Sequence, residues 1–268
     1  MLQILRTPEI PVDVEGYLAS KPAAHSFLAS RLRALHQLSR SEALIYRKNG
    51  SVTGVTYLGA NLLPSLSTRD ALFATADHLK GRAITFSSLV GESASVFALW
   101  DLIKHLSPPA RLIRERQPLL AISDEPLITS DPQVRLATSE DLELVIDAGT
   151  QMFIGEVGEA PHVSDFRARA IELISEGRTF IRRDGEEILF KADIGAIGAG
   201  ALQIHGVWVP PAHRGRGIGS HGMASVLRLS RRFAPRACLY VNDFNHAARA
   251  SYKKVGFVEV GEFASIFL

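Results

Sequence analysis

The chain of 268 residues has almost no cysteine, and its single thiol, Cys238, cannot form an internal disulfide. That excludes a disulfide-stapled secreted scaffold and fits a reducing compartment. It also lacks a surplus of either charge, with 30 basic against 28 acidic side chains and a formal net charge of +2. So weak a field leaves neither nucleic acid nor an anionic membrane as an expected partner. No stretch approaches the roughly 18 uncharged apolar residues that suggest a membrane span. The start, "MLQILRTPEIPVDVEGY", shows no charged segment followed by a long apolar one, so no signal peptide is expected. These absences lead us to expect a soluble cytoplasmic protein. Lysine is missing between Lys191 and Lys253, and that gap decides a motif below.

What is present is ample apolar material, 46% of residues, enough for one large domain or two ordinary ones. A segment with five prolines runs from Ser107 to Gln133 and loses its periodicity after Ser123. We place the domain boundary there, giving units 1–130 and 131–268. Before it, "DVEGYLASKPAAHSFLASRLRAL" reads as helix broken at Pro22, and "EALIYRKNGSVTGVTYLGANLLP" as a hairpin turning at Asn49-Gly50. "STRDALFATADHLKGR" reads as a helix with a capping box of Ser67 and Asp70, followed by a strand "AITFSSL", an apolar helix and a strand "RLIRERQPLLAI". After the boundary, Thr138 and Asp141 have capping-box spacing ahead of a helix, and "SDFRARAIELISEG" is a second helix, capped by Ser164 or Asp165. A hairpin at Asp184-Gly185, the strand "ALQIHGVWV", a helix, the strand "ACLYVND", the helix "NHAARASYKKV" and a final strand or strand pair complete the chain. The hairpins "YRKNGSVTG" and "IRRDGEEI" echo each other, which raises the prospect of a duplicated fold.

The stretch "PPAHRGRGIGSHG", Pro210 to Gly222, carries four glycines directly after "VWV". A Walker-type loop needs Gly-Lys-Ser/Thr, and the missing lysine rules it out. Gly217, Gly219 and Gly222 fit a dinucleotide turn, and Asp243 follows where a ribose-binding carboxylate would sit. That turn leaves its strand directly into the first glycine, whereas seven residues, Pro210 to Arg216, intervene here. Only 25 residues remain after Asp243, too few for the rest of a doubly wound sheet. The third reading is a diphosphate cradle at a helix N-terminus, where unpaired amides and the helix dipole favour anions. Glycines would let the backbone close on the phosphates, and Arg214 and Arg216 would add charge-assisted contacts.

The run from Val207 to Gly219, with Arg214, Gly217 and Gly219 at the positions of Arg/Gln-x-x-Gly-x-Gly, resembles the acetyl-CoA loop of the GNAT N-acetyltransferase superfamily. A second motif follows at that family's spacing, "LYVNDFNHAARASYKKVGF", which supplies Asn245, Ala248, Tyr252, Gly256 and Phe257. The resemblance covers Val134 to Leu268, about half of the chain. The whole chain is similar to two-domain bacterial GNAT proteins whose N-terminal domain has no assigned role. The resemblance implies an α/β fold (an α+β mixed sheet), with the GNAT acyl-CoA N-acyltransferase fold in residues 131–268. It also implies a degenerate GNAT-like N-terminal half in which "SLSTRD" stands where the glycines should be.

It further implies an acetyl-CoA-dependent N-acetyltransferase acting by direct attack of an amine in a ternary complex, without an acyl-enzyme. Acetyl-CoA is then the co-substrate, and a small-molecule or peptide amine the acceptor. The cofactor-binding set would be Val207, Val209, Arg214, Gly215, Arg216, Gly217, Ile218, Gly219, Ser220 and Asn245. Main-chain groups of the two valines would line the pantetheine arm. Tyr252 would be the acid that protonates the thiolate. For the base, the glutamate used by some family members is Gln203 here, which cannot take a proton. His205, two residues on, is our first candidate; Glu156, Glu159, Asp193 and water stay open. No metal is expected, since His213 and His221 have no paired ligands at a recognised spacing. His162, Asp165 and Glu172 read as a solvated helix face. The N-terminal half either walls the acceptor side or makes a homodimer. A CoA-binding sensor or scaffold without catalysis is the alternative that Gln203 motivates.

Overall fold

Turn and cap chemistry sets where the elements begin and end. The computed structural model describes residues 1–7, 9–35, 41–157 and 163–268. Within them the strands are β1 (Leu2–Leu5), β2 (Glu42–Lys48), β3 (Ser51–Leu58), β4 (Asn61–Leu66), β5 (Ser88–Glu92), β6 (Leu112–Ile122), β7 (Arg135–Leu136), β8 (Thr179–Asp184), β9 (Glu187–Gly198), β10 (Ala201–Trp208), β11 (Arg236–Tyr240) and β12 (Val258–Phe267). The α-helices are α1 (Val12–Ala19), α2 (Pro22–Arg33), α3 (Arg69–Leu79), α4 (Ser93–Ile103), α5 (Leu142–Val157), α6 (Val163–Ser175), α7 (Ile218–Ser230) and α8 (His246–Val255). Asn49 and Gly50 both adopt positive φ, 52° and 81°, the type I′ geometry that matches strand twist. Ala199 and Gly200 repeat it between β9 and β10, at 52° and 78°.

All twelve strands join one sheet, in the order β1-β2-β3-β4-β5-β12-β6-β11-β10-β9-β8-β7. Each half runs through antiparallel strands into one parallel pair, β4 with β5 and β10 with β11, joined by a helical crossover, α3 or α7. This is the duplication that the two hairpins hinted at. The last strands are exchanged. β12 lies between β5 and β6, and β6 lies between β12 and β11, all antiparallel. Each half thus has its innermost ladder, at the centre of the sheet, completed by a strand from the other. Helices α7 and α8 cover one face of the C-terminal half over Phe190, Met223, Val226 and Val255. Helices α5 and α6 cover the other, over Ile181 and Trp208. Helix α2 crosses from the N-terminal half onto β9, β10 and β11, and Ser26 and Ala23 meet the buried Cys238 there. Burial pushes the Cys238 thiol up to about 11, so it is no ready nucleophile.

Several boundaries differ from the sequence reading. β1 was not expected, because four residues are too short to show alternation. "GVTYLGANLLP" contains two strands, β3 and β4, rather than one. The strand expected at "AITFSSL" begins only at Ser88, because Phe86 and Ile84 instead plug the core between α3 and α4. Thr68, not Ser67, caps α3, its Oγ1 accepting from the Ala71 amide at 3.3 Å. The box of Thr138 and Asp141 forms as expected. The side chains of Glu156, Ser164 and Asp165, and residues Glu159 and His162, lie outside the described residues.

Candidate functional site

The site grows from a gap in the sheet. The parallel ladder of β10 and β11 holds only from Ala201↔Arg236 to Gln203↔Cys238. On its other edge β10 shifts register between His205 and Trp208, a bulge at Gly206, whose φ is +61°. The two strands then diverge, and the backbone of Val207 and Val209 faces a wedge with no strand to pair it. The equivalent wedge in the N-terminal half is closed. There β4 and β5 pair at Asn61↔Ser88 and Leu62↔Leu89, but Ser95 Oγ accepts from the Leu66 amide at 3.1 Å and fills the opening.

Helix α7 points its N-terminus at the open wedge. Its N-cap, Gly217, adopts φ +82° and provides no side-chain cap, and the first amide bonded back into the helix is that of His221, to Gly217 O at 3.0 Å. The amides of Ile218, Gly219 and Ser220 precede it and have no intrahelical partner. A Cβ on Gly219 would stand 3.5 Å from Val209 Cγ2, so the backbone there approaches the strand exit closely. Arg214 folds back, its Nε donating to Val209 O at 3.0 Å. Gly222, the third glycine of the sequence pattern, has a packing task instead: a Cβ there would sit 2.7 Å from the Phe190 ring. His221 Nδ1, 2.8 Å from Thr129 O, ties the proline-rich segment to the same helix.

Helix α8 closes the other wall. Asn245 Oδ1 accepts from the Ala248 amide at 3.1 Å, capping it, a contact worth about 1 kcal/mol. Tyr252 is buried, with its ring edge-on to Phe257 at 5.8 Å. Together these parts enclose a cleft of about 690 Å³. Val207, Val209, Arg214, Gly215, Gly217, Ile218, Gly219, Ser220, Asn245 and Tyr252 all line it. Of the residues expected from sequence, Arg216 is exposed and outside the lining, and so is His205. The sequence reading missed Gln151, Met152 and Gly155 of α5, and Ser251 and Lys254 of α8. Small residues at helical spacing in "HAARASY" were the available signal for the α8 wall.

His205 lies on the face of β10 opposite Ile204, directly across from Asp193. Its ring covers Gly195, where a Cβ would meet Cδ2 at 2.5 Å. Crowding by the surrounding protein pulls the imidazole down from 6.5 toward about 4, with Asp193 opposing and Lys191 and Arg169 assisting. The ring is nonetheless open to solvent, and water at its surface offsets part of that shift. Asp193 is buried beside Lys191, which donates to its Oδ2. Its Oδ1 has no partner. Asp193 is thus committed to Lys191. Among the described residues, no group of three or more His, Cys, Asp or Glu side chains is placed to hold a metal ion. None of the helices searched is long and apolar enough to cross a membrane.

An uncapped helix N-terminus set beside a splayed parallel pair makes an anion-ready cleft. Residues 153–257 match the acetyltransferase (GNAT) family, and the C-terminal half has the GNAT fold. Residues 41–145 match a domain of unknown function, DUF4081. Among solved structures, a GCN5-related N-acetyltransferase from Sphaerobacter thermophilus is 15% identical with a TM-score of 0.60, and the match covers 99% of this chain and 94% of that one. A Drosophila protein is 12% identical with a TM-score of 0.66, over 100% of this chain and 98% of that one. A tandem GNAT protein from the clavulanic acid biosynthesis pathway is 12% identical with a TM-score of 0.53, over 99% and 98%. The likeness is one of fold, and its span over both halves supports a GNAT-like N-terminal half. No curated protein matches the chain.

Proposed function

We propose that this chain is an N-acetyltransferase that moves an acetyl group from acetyl-CoA to a primary amine by direct attack in a ternary complex. The observation that carries this reading is the meeting of the uncapped α7 N-terminus with the unpaired strand edge of Val207 and Val209 in one cleft. The amides from Gly217 to Ser220 would hold the diphosphate, with Arg214 swinging from Val209 O to add charge. Val207 and Val209 would hydrogen-bond the pantetheine arm through their main chain, and an amide at the bulge would polarise the acyl carbonyl. Acetyl-CoA, when bound, supplies an acyl group already activated as a thioester. Tyr252 would protonate the thiolate leaving group, a role that suits a phenol because its reference pKa of about 10 is near that of a thiol. His205, outside the cleft lining, would take the amine's proton through water. In this reading residues 131–268 carry the chemistry, residues 1–130 wall the acceptor side, and the protein works in the cytoplasm.

A CoA-binding sensor without catalysis is the second reading, favoured by Gln203 where a carboxylate would be expected. One experiment separates them. Thermal denaturation with acetyl-CoA and with CoA tests binding, and release of free CoA in the presence of an amine panel tests turnover. Binding with turnover supports the transferase. Binding without turnover on any amine supports the sensor, and no binding removes both.

A further inference from the structure

The N-terminal half brings Arg31 toward the acceptor side, and among the described residues it makes no ion pair. Arg31, in the last turn of α2, is half-buried, stacks its guanidinium 5.0 Å over the Phe27 ring, and has a buried Nε without a hydrogen-bond partner. Helix α2 is pressed onto β9 just before it: a Cβ on Gly198 would stand 2.8 Å from Ser30 N and 2.7 Å from Ala29 Cβ. Three residues back along β9, Gly195 lies under the His205 ring, and Gly195 O accepts from Arg169 Nη2 at 2.9 Å. Arg169 lies close enough to disfavour the charge of both His205 and Arg31, so guanidiniums from the two halves lead from α2 toward His205. Arg169 is paired with Glu172 at 2.7 Å. Asp193 is committed to Lys191. Two arginines thus share one carboxylate: the charge of Arg31 is disfavoured first by burial and also by Arg169, Tyr57 and Glu172 oppose this, and among the described residues Arg31 has no ion pair of its own.

We propose that Arg31, with Arg169, binds a carboxylate on the amine acceptor, so that the substrate is an amine bearing a free carboxylate, such as an amino acid or short peptide. This rests on the transferase reading above and gives the N-terminal half a substrate-selecting role. The planar fork of arginine suits a carboxylate, and the unsatisfied Nε gives it a donor to spend.

The test uses matched acceptors, amino acids and dipeptides against their C-terminal amides, with the full-length protein. Wild type should favour the acid by at least about tenfold in kcat/KM, chiefly through KM. Arg31→Gln should lower the acid-to-amide ratio by roughly tenfold to hundredfold. Arg31→Lys should recover part of it. A thermal shift with CoA checks that each variant folds and loads cofactor. Equal use of acid and amide by wild type, or an unchanged ratio in Arg31→Gln, overturns the inference while leaving the transferase reading intact. Absence of CoA binding, or of turnover on every amine, overturns both.

Discussion

Gly222→Ala reads out the packing that aims α7 at the cleft. A helix-interior glycine replaced by alanine gains about 1 kcal/mol from backbone propensity. At Gly222 the new Cβ would lie 2.7 Å from Phe190 Cδ2 and 2.8 Å from Cγ and Cε2. Phe190 is fully buried in the core beneath α7, so the ring has no free volume to enter, and overpacking of this kind costs about 1–3 kcal/mol. The net effect is a loss of about 1 kcal/mol, or about 2–4 °C in Tm for a protein of roughly this size. Gly16→Ala in α1 is the control, because nothing lies within 4 Å of its Cβ position. It should gain up to about 1 kcal/mol. The same chemical change is therefore expected to move Tm in opposite directions at the two sites. Phe190→Leu should rescue Gly222→Ala more than additively. Thermal or urea denaturation of the four variants decides the matter. If Gly222→Ala were as stabilising as Gly16→Ala, α7 would not be seated on Phe190 as described.

Other consequences follow from the same geometry. Arg214→Glu should abolish the thermal shift given by CoA, because it would place a carboxylate where we propose that the diphosphate binds. Tyr252→Phe should keep CoA binding and lower kcat by about a hundredfold or more; unchanged turnover would remove Tyr252 as the acid. Asp141 is buried, and hydrogen bonds from Arg135, the Thr138 amide and Arg183 hold its carboxyl well below the usual range against its burial. Its folded pKa lies below its unfolded one, so its stabilisation is complete above the ordinary carboxylate pKa of about 4 and fades as pH falls through the lower folded value. Asp141→Ala should therefore cost about 3 kcal/mol at pH 7 and less near pH 2, as measured by urea denaturation at both.

Much of the cleft was legible because it is written in local chemistry. Gly217 and Gly219 mark a backbone that must turn and approach the strand exit, and Asn245 is an N-cap three residues before the amide that it receives. The hairpins were visible for the same reason, since turn residues announce themselves within four positions. What escaped notice depends on distant parts of the chain. Exchange of β6 and β12 depends on strands about 145 residues apart finding one register, as at Leu112↔Phe267 and Ala121↔Val258, and no local periodicity encodes that. Gly222 fitted a dinucleotide fingerprint by spacing alone, yet its role is set by Phe190 on another strand. Arg31 carried no signal in the sequence; only the seating of α2 on Gly198 brings it to Arg169 and Glu172 of the other half.

The most direct test follows backbone amide resonances of the isotopically labelled protein while CoA is added. We expect saturable shifts at Gly217, Ile218, Gly219 and Ser220, with Val207 and Val209 moving at the same midpoint. Saturation with CoA that left those six amides still, or shifts confined to another surface, would contradict the placement of the cofactor at the head of α7.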